Sequence, residues 1–317
     1  MYAPKWHTLI CLTMCVSIVL ILMQQSSLTT KPFVRDTSIN SVPQDVYEDV
    51  LSRWYNFTGD KGWYNDKEIS PSNLNEWERY LKEIRENWIV WKHNPNMSYV
   101  LNNPEVQDPS MGQAKAIREI FKDKKHGFFV ECGAYDGETR SNTLVLERSF
   151  NWTGLLIEAD TINFSEMTQK NRKAYLSPTC LSISTKPTVA SFLMAKNIGR
   201  LHDPKDSDGT MENSPDVVHS GVHIQVQCFP FAHYIAALGI KTVDYFSLDI
   251  EGNEMEVLET IPFDQIDIKA LSVEHTHGSK GRKYLIDFME ARGYYAYKFV
   301  ERSDNLANDV IFAKRES

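Results

Sequence analysis

The feature that most constrains this chain is Gly127–Glu138 (GFFVECGAYDGE), where an apolar run ends on Glu131, two glycines flank a short loop and a helix-like segment begins. An apolar run closed by Gly133 and Gly137 reads as strand, turn and helix, because glycine takes backbone angles barred to other residues. Glycines there also let a ligand approach the main chain, and in an open α/β sheet the carboxyl end of the first strand is where a nucleotide-like ligand sits. The block is not the dinucleotide fingerprint, so a plain strand-to-helix turn is the alternative at this point.

Further acids stand at later strand ends. Trp152–Asp160 (WTGLLIEAD) reads as a turn, a buried strand and the carboxylate of Glu158. Its distance past the glycine loop is that expected of an acid accepting both ribose hydroxyl protons. Asp244–Glu254 (DYFSLDIEGNE) is a second apolar strand, delivering Asp249 and Glu251 before Gly252 opens a turn into a Met255–Thr260 helix. Beside it, Ser272–His275 ends another strand. Asp249 or His275 is the expected general base, since either can accept a proton from a bound hydroxyl. For His275 a hydrogen-bonded strand-end histidine is the plainer alternative.

Between these anchors, Gln113–Lys122, Asn142–Arg148, Phe231–Leu238 and Gly281–Arg292 read as helices. Ala174–Ile183, Val189–Leu193 and Val222–Phe229 read as strands, and Tyr294–Phe299 with Asp309–Ala313 as a closing antiparallel pair. The alternation predicts a Rossmann-like, doubly wound α/β body: a mostly parallel sheet with an antiparallel edge.

The N-terminal part has another character. Thr8–Met23 carries no charge and is slightly short of a full bilayer span, which predicts a transmembrane signal anchor. A cleaved signal peptide is the alternative. The expected organisation is a cytoplasmic tail over 1–7, the anchor over 8–24, a linker and helical stem over 25–109, and the body over 110–317. In the stem, Val46–Phe57 and Asn73–His93 read as helices. Leu74, Trp77, Leu81, Ile84, Trp88 and Trp91 form an apolar stripe on the second, and Asn73 with Glu76 resembles a capping box. The stripe either packs on its own domain or pairs with another chain.

Four Asn-x-Ser/Thr triplets begin at Asn56, Asn96, Asn151 and Asn163. They fit a single-pass type II membrane protein of the endoplasmic reticulum, Golgi or endosomal system with its body in the lumen. There Cys180–Cys228 is the expected disulfide, with Cys132 a buried small hydrophobe and three reduced thiols the alternative. A net charge of −8 without a basic run argues against nucleic acid as partner. Asp206–Ser207–Asp208 copies the DxD triplet of metal-dependent glycosyltransferases, but it sits in the polar loop Gly199–Gly221, away from any strand end. No metal site is expected.

With these residues placed, the body resembles the FkbM-type S-adenosylmethionine-dependent methyltransferases. The matching stretches are GFFVECGAYDGETRSNTLVLER, WTGLLIEAD, CFPF, DYFSLDIEGNEMEVLETI and LSVEH, spread over roughly Ser110–Lys314. The resemblance is closest to the membrane-anchored, Star-like animal branch. It implies S-adenosylmethionine as cofactor, with Glu131, Gly133, Ala134, Tyr135, Asp136 and Gly137 around its methionine part. Glu158 would take the ribose and Leu181–Ser182 border the adenine, while Asp249 and Glu251 stand at the family's acidic strand-end motif. Tyr135 is bulkier than the family pattern suggests. Two functions follow from the resemblance: O-methyl transfer to a glycan or lipid hydroxyl in the secretory lumen, or a non-catalytic, membrane-tethered adaptor for transmembrane cargo such as growth-factor precursors.

Overall fold

The computed structural model describes residues 64–65, 69, 72–90, 97–195, 199–201, 222–278, 280–304 and 306–316. The expected anchor, the Val46–Phe57 helix, Asp206 and Asp208, and the triplets at Asn56 and Asn96 lie outside them. Among the described residues no helix is long and apolar enough to cross a membrane.

Among the described residues eleven strands form two sheets. The larger one contains β1 (Phe128–Cys132), β2 (Thr153–Ile157), β3 (Tyr175–Ser177), β8 (Thr242–Leu248), β9 (Asp267–Glu274), β10 (Tyr294–Glu301) and β11 (Asn308–Lys314), in the order β10-β11-β9-β8-β1-β2-β3. From β9 through β3 all neighbours run parallel, and β11 is antiparallel to both β9 and β10. The expected antiparallel pair is therefore present, with the reversed strand one place in from the edge.

Parallel strands buried on both faces are apolar almost throughout, and β1 shows how. Val130 and Cys132 enter one core with Leu155, Phe246 and Leu271, whereas Phe129 enters the other with Leu156, Phe164 and Tyr245. Alternation along the strand sends successive side chains to opposite faces. Helices α2 (Gln113–Phe121), α3 (Leu144–Phe150) and α4 (Thr161–Met167) cover the Phe129 face. On the Val130 face lie α1 (Leu74–Glu83), α5 (Phe231–Leu238), α6 (Glu254–Thr260) and α7 (Gly281–Glu290).

The smaller sheet corrects the expectation of one sheet. Strands β4 (Cys180–Leu181), β5 (Thr188–Met194), β6 (Arg200–Leu201) and β7 (Val222–Phe229) pair in the order β4-β7-β5-β6. Cys180 lies opposite Cys228 in the β4–β7 register and the two form the expected disulfide. Cys132 is free and buried, as expected.

The helix assigned to a stem belongs to the body. The Asn73 side chain accepts the Glu76 N–H at 3.4 Å and caps α1. The helix stops at Glu83, short of His93, because a π-turn over Ile84–Trp88 follows and Ile89 is extended. The wider turn buries both Ile84 and Trp88 beside Phe229 and Tyr234, and Val90 bridges to Leu176 of β3. Arg85 donates to the Ala237 carbonyl at 2.7 Å. Leu74 falls off the stripe and is exposed.

Candidate functional site

From β1 the chain proceeds outward through β2 and β3 on one side, and β8 later pairs on the other side of β1. Such a reversal opens a crevice at the carboxyl ends of the strands. Here it is a cleft of about 590 Å³ including its mouth. Gly133, Tyr135, Glu158, Leu181, Phe192 and Asp249 are among its walls.

The glycine loop does not work as the sequence suggests. Gly133 sits at φ +79°, and a Cβ there would lie 1.8 Å from the Asp249 carbonyl oxygen. Its missing side chain admits the end of β8 rather than a ligand. The N–H groups of Gly133 and Ala134 donate to the Ile157 carbonyl at 3.1 and 3.2 Å. At Gly137, φ +77°, the space is taken by Met167. Asp136 is buried and accepts from the Glu138 and Thr139 N–H groups at 2.9 and 2.7 Å, closing the turn on itself. These contacts give Gly133, Asp136 and Gly137 packing duties, while Tyr135 borders the cleft.

Glu131 is likewise occupied. Its carboxylate accepts from Ser141 Oγ at 3.0 Å, the Asn142 N–H at 2.7 Å and Thr143 Oγ1. Burial pushes its pKa up, and Arg172 pulls against that. Arg172 is the keystone of the segment: fully buried, it pairs with buried Glu147 at 3.1 Å, donates to Thr143 Oγ1 at 3.1 Å and reaches the Gly137 carbonyl. Lys170 and Glu138 form a second buried pair at 2.8 Å.

Glu158 ends β2 as expected, on the cleft wall. It accepts the Tyr135 N–H at 2.7 Å and the Asp160 N–H at 2.8 Å, and burial, then Asp160, pushes its pKa up to about 8. Asp160 also caps α4, a helix the sequence reading omitted, by accepting from Ile162 at 2.9 Å. Ser182 is fully buried and donates to the Lys186 carbonyl at 2.7 Å. It is Leu181, with Thr179 and Cys180, that borders the cleft.

A second cleft of about 700 Å³ lies beyond Tyr135, and Gly133, Tyr135, Asp249 and Glu251 line both. Asn142, Arg140 and His277 complete its polar wall. Burial, then Glu251, raises Asp249 well above the usual carboxylate range. Glu251 holds a left-handed φ of 60° and sets its carboxylate 2.7 Å from His277 Nδ1. Glu251 and Glu274 push His277 up to about 10, so its imidazole is a cation at neutral pH. His275 borders neither cleft; its Nε2 is 3.7 Å from Glu301 and its N–H bonds Asn308. Of the two histidines after β9 it is thus His277, and not the expected His275, that lines a cleft, and the sequence pattern singles out neither His277 nor Glu254.

Residues 131–295, just over half the chain, match the family model described as Methyltransferase FkbM domain. A search of curated proteins finds no match. Among solved structures, a SAM-dependent methyltransferase from Leishmania major is similar with 8% identity and a TM-score of 0.33, over 78% of this chain and 86% of that one. An uncharacterized protein from Burkholderia thailandensis is similar with 11% identity and a TM-score of 0.26, over 87% and 75%.

Proposed function

The chain belongs to the FkbM methyltransferase family, with S-adenosylmethionine as cofactor, and from that premise we propose that it methylates a hydroxyl oxygen of a glycan or lipid in the lumen of the secretory pathway. One observation carries the reading: the strand-end cleft sets Glu158 on one wall and Asp249 on another. Its residues fit the cofactor. Ile157, Leu181, Phe192 and Leu201 offer an apolar slot for a purine, and Glu158 a carboxylate for ribose hydroxyls. When bound, the cofactor supplies an electrophilic methyl on sulfur. The protein's share is positioning, and a proton acceptor. Asp249 fits that role, because burial and Glu251 raise its proton affinity towards the range a base for a hydroxyl needs.

A luminal body is supported by the Cys180–Cys228 disulfide, since such bonds persist in oxidising compartments. Asn151 is exposed and open to a glycan, whereas Asn163 is buried in α4 and not available to one in the folded body.

Titration calorimetry of the full chain in detergent tests the cofactor site. Saturable heat with S-adenosylmethionine is expected; silence at millimolar cofactor, with no competition by its demethylated product, would sink the reading.

A second reading, a Star-like membrane-tethered adaptor for transmembrane growth-factor precursors, is favoured by one feature. The N–H groups of Gly133, Ala134, Tyr135, Gly137, Glu138 and Thr139 all have partners inside the protein, so the loop presents few donors to a ligand. Proximity labelling from the lumen separates the two readings. Enrichment of transmembrane cargo supports the adaptor, and enrichment of glycan-processing enzymes alone counts against it.

A further inference from the structure

The sequence assigns this chain no metal, yet the sheet end beside the second cleft assembles ligands for one. Asp249, Glu254 and Glu274 each bring one carboxylate oxygen to within 4.8 Å of the others. That separation suits a hard cation whose oxygen ligands lie at about 2.3–2.6 Å. The backbone holds two of these groups in place. Glu254 accepts from the Ile250 N–H at 2.9 Å and the Gly252 N–H at 3.1 Å, and Glu274 from the Thr276 N–H at 2.5 Å. These bonds leave acceptor sites free on each carboxylate.

Acids in a group are not in themselves a site; two buried oxygens lacking partners make the case. Asp309 faces Glu274 directly across the β9–β11 ladder, which puts both side chains on one face of the sheet. It is 1% exposed, its Oδ2 accepts the Gln113 amide at 2.8 Å, and its Oδ1 has no partner. Asn142 lines the same cleft as Asp249 and is 6% exposed. Its Nδ2 donates to Ser247 Oγ at 2.9 Å, leaving Oδ1 without a partner. An orphaned buried acceptor is costly, so Asp309 Oδ1, opposite Glu274, and Asn142 Oδ1, on the cleft wall shared with Asp249, point to a missing cation.

We propose that Asp249, Glu254 and Glu274 bind a divalent hard cation, Ca²⁺ or Mg²⁺, with the free oxygens of Asp309 and Asn142 beside it. The donors are all oxygens. The free thiol nearest in the chain, Cys132, is buried in the apolar core, and the His277 imidazole is engaged by Glu251 at 2.7 Å with Glu274 3.7 Å away, so the set suits a hard ion and not a soft one. Of the three ligands Asp249 alone lines the clefts, and it lines both, so it is the residue that links the ion to their shared wall. The site does not depend on methyl transfer.

The test titrates CaCl₂, and separately MgCl₂, into full chain stripped with EDTA, by calorimetry and thermal unfolding. One saturable site is expected, raising the unfolding midpoint by roughly 5–10 °C at a hundredfold excess over Kd. Ca²⁺ binds more tightly than Mg²⁺ if the oxygens keep their spread. Glu254→Gln and Glu274→Gln should each weaken binding at least ~10-fold while circular dichroism stays unchanged. No heat and no midpoint shift with either ion at about 10 mM overturns the site, as does unaltered binding in both folded variants. If the variants do not fold, the wild-type titration decides. A parallel S-adenosylmethionine titration in EDTA separates the proposals. Cofactor binding with cation silence removes the metal site alone, and the reverse removes the cofactor reading alone.

Discussion

At the scale of single residues, Glu158 and Gly133 stand in contrast: the first faces the cleft and the second is spent on packing. Glu158 already accepts two backbone N–H groups and still lines the cleft. Above about pH 8, where Glu158 is ionised, Glu158→Gln removes the charge that would strengthen hydrogen bonds from the ribose hydroxyls, which is worth about 1.5–3 kcal/mol. S-adenosylmethionine should therefore bind ~10–100-fold more weakly, read by calorimetry, and unchanged affinity would take Glu158 out of the site. Gly133→Ala acts on the fold instead. Its Cβ would collide with the Asp249 carbonyl at a φ that L-residues rarely adopt. The expected loss exceeds ~3 kcal/mol in urea unfolding, even with no ligand present. A glycine loop that merely admitted a ligand would tolerate the alanine in the free protein.

The elements show which parts of the fold were legible. The strand–helix alternation was readable because each central strand is an apolar run closed by an acid or a glycine. That pattern located Phe128–Cys132, Thr153–Ile157 and Thr242–Leu248. The second sheet was not readable: β4 is two residues long, and its identity comes from pairing with β7 across 48 residues of sequence. Nor was the π-turn, whose cause is the burial of Ile84 and Trp88 rather than any local signal. In the site, Asp249, Glu251 and Glu158 were legible because they end strands, but Asp309 joins them only through the β9–β11 register. The loop after β1 rests on Arg172, which the sequence did not single out. Arg172→Met strands buried Glu147 and unties Gly137 and Thr143. A loss of roughly 3–5 kcal/mol is expected in urea, with Glu147→Gln/Arg172→Met less destabilised than the single variant. Additive losses would show that the pair is not coupled. Reducing the disulfide, whose partners are 48 residues apart, should cost up to about 4 kcal/mol more.

Across the whole molecule, the strand ends gather acids and one imidazolium, and their linkage to folding has a single sign. Glu158 is raised from 4.5 to about 8 by burial, then Asp160. Below pH 4.5 it is protonated in both states and contributes nothing. Between pH 4.5 and 8 the unfolded chain has lost the proton that the folded chain keeps, so stability falls as pH rises. His277 is raised from 6.5 to about 10 by Glu251 and Glu274. Its stabilisation is complete below pH 6.5 and is lost as pH rises through 10. Groups with lowered pKa, such as exposed Glu259 and half-buried Asp267, matter only in the acid range below these windows. Free protein in EDTA should therefore be most stable near pH 5. It should then lose up to ~1.4 kcal/mol per pH unit for each group inside its window. Calorimetric midpoints from pH 5 to 9 check this, and the Glu158→Gln profile should be flatter below pH 8 and parallel to wild type above it. A midpoint that rose from pH 5 to 8 would mean that these groups are ionised and well paired in the folded chain, against the burial that defines both clefts.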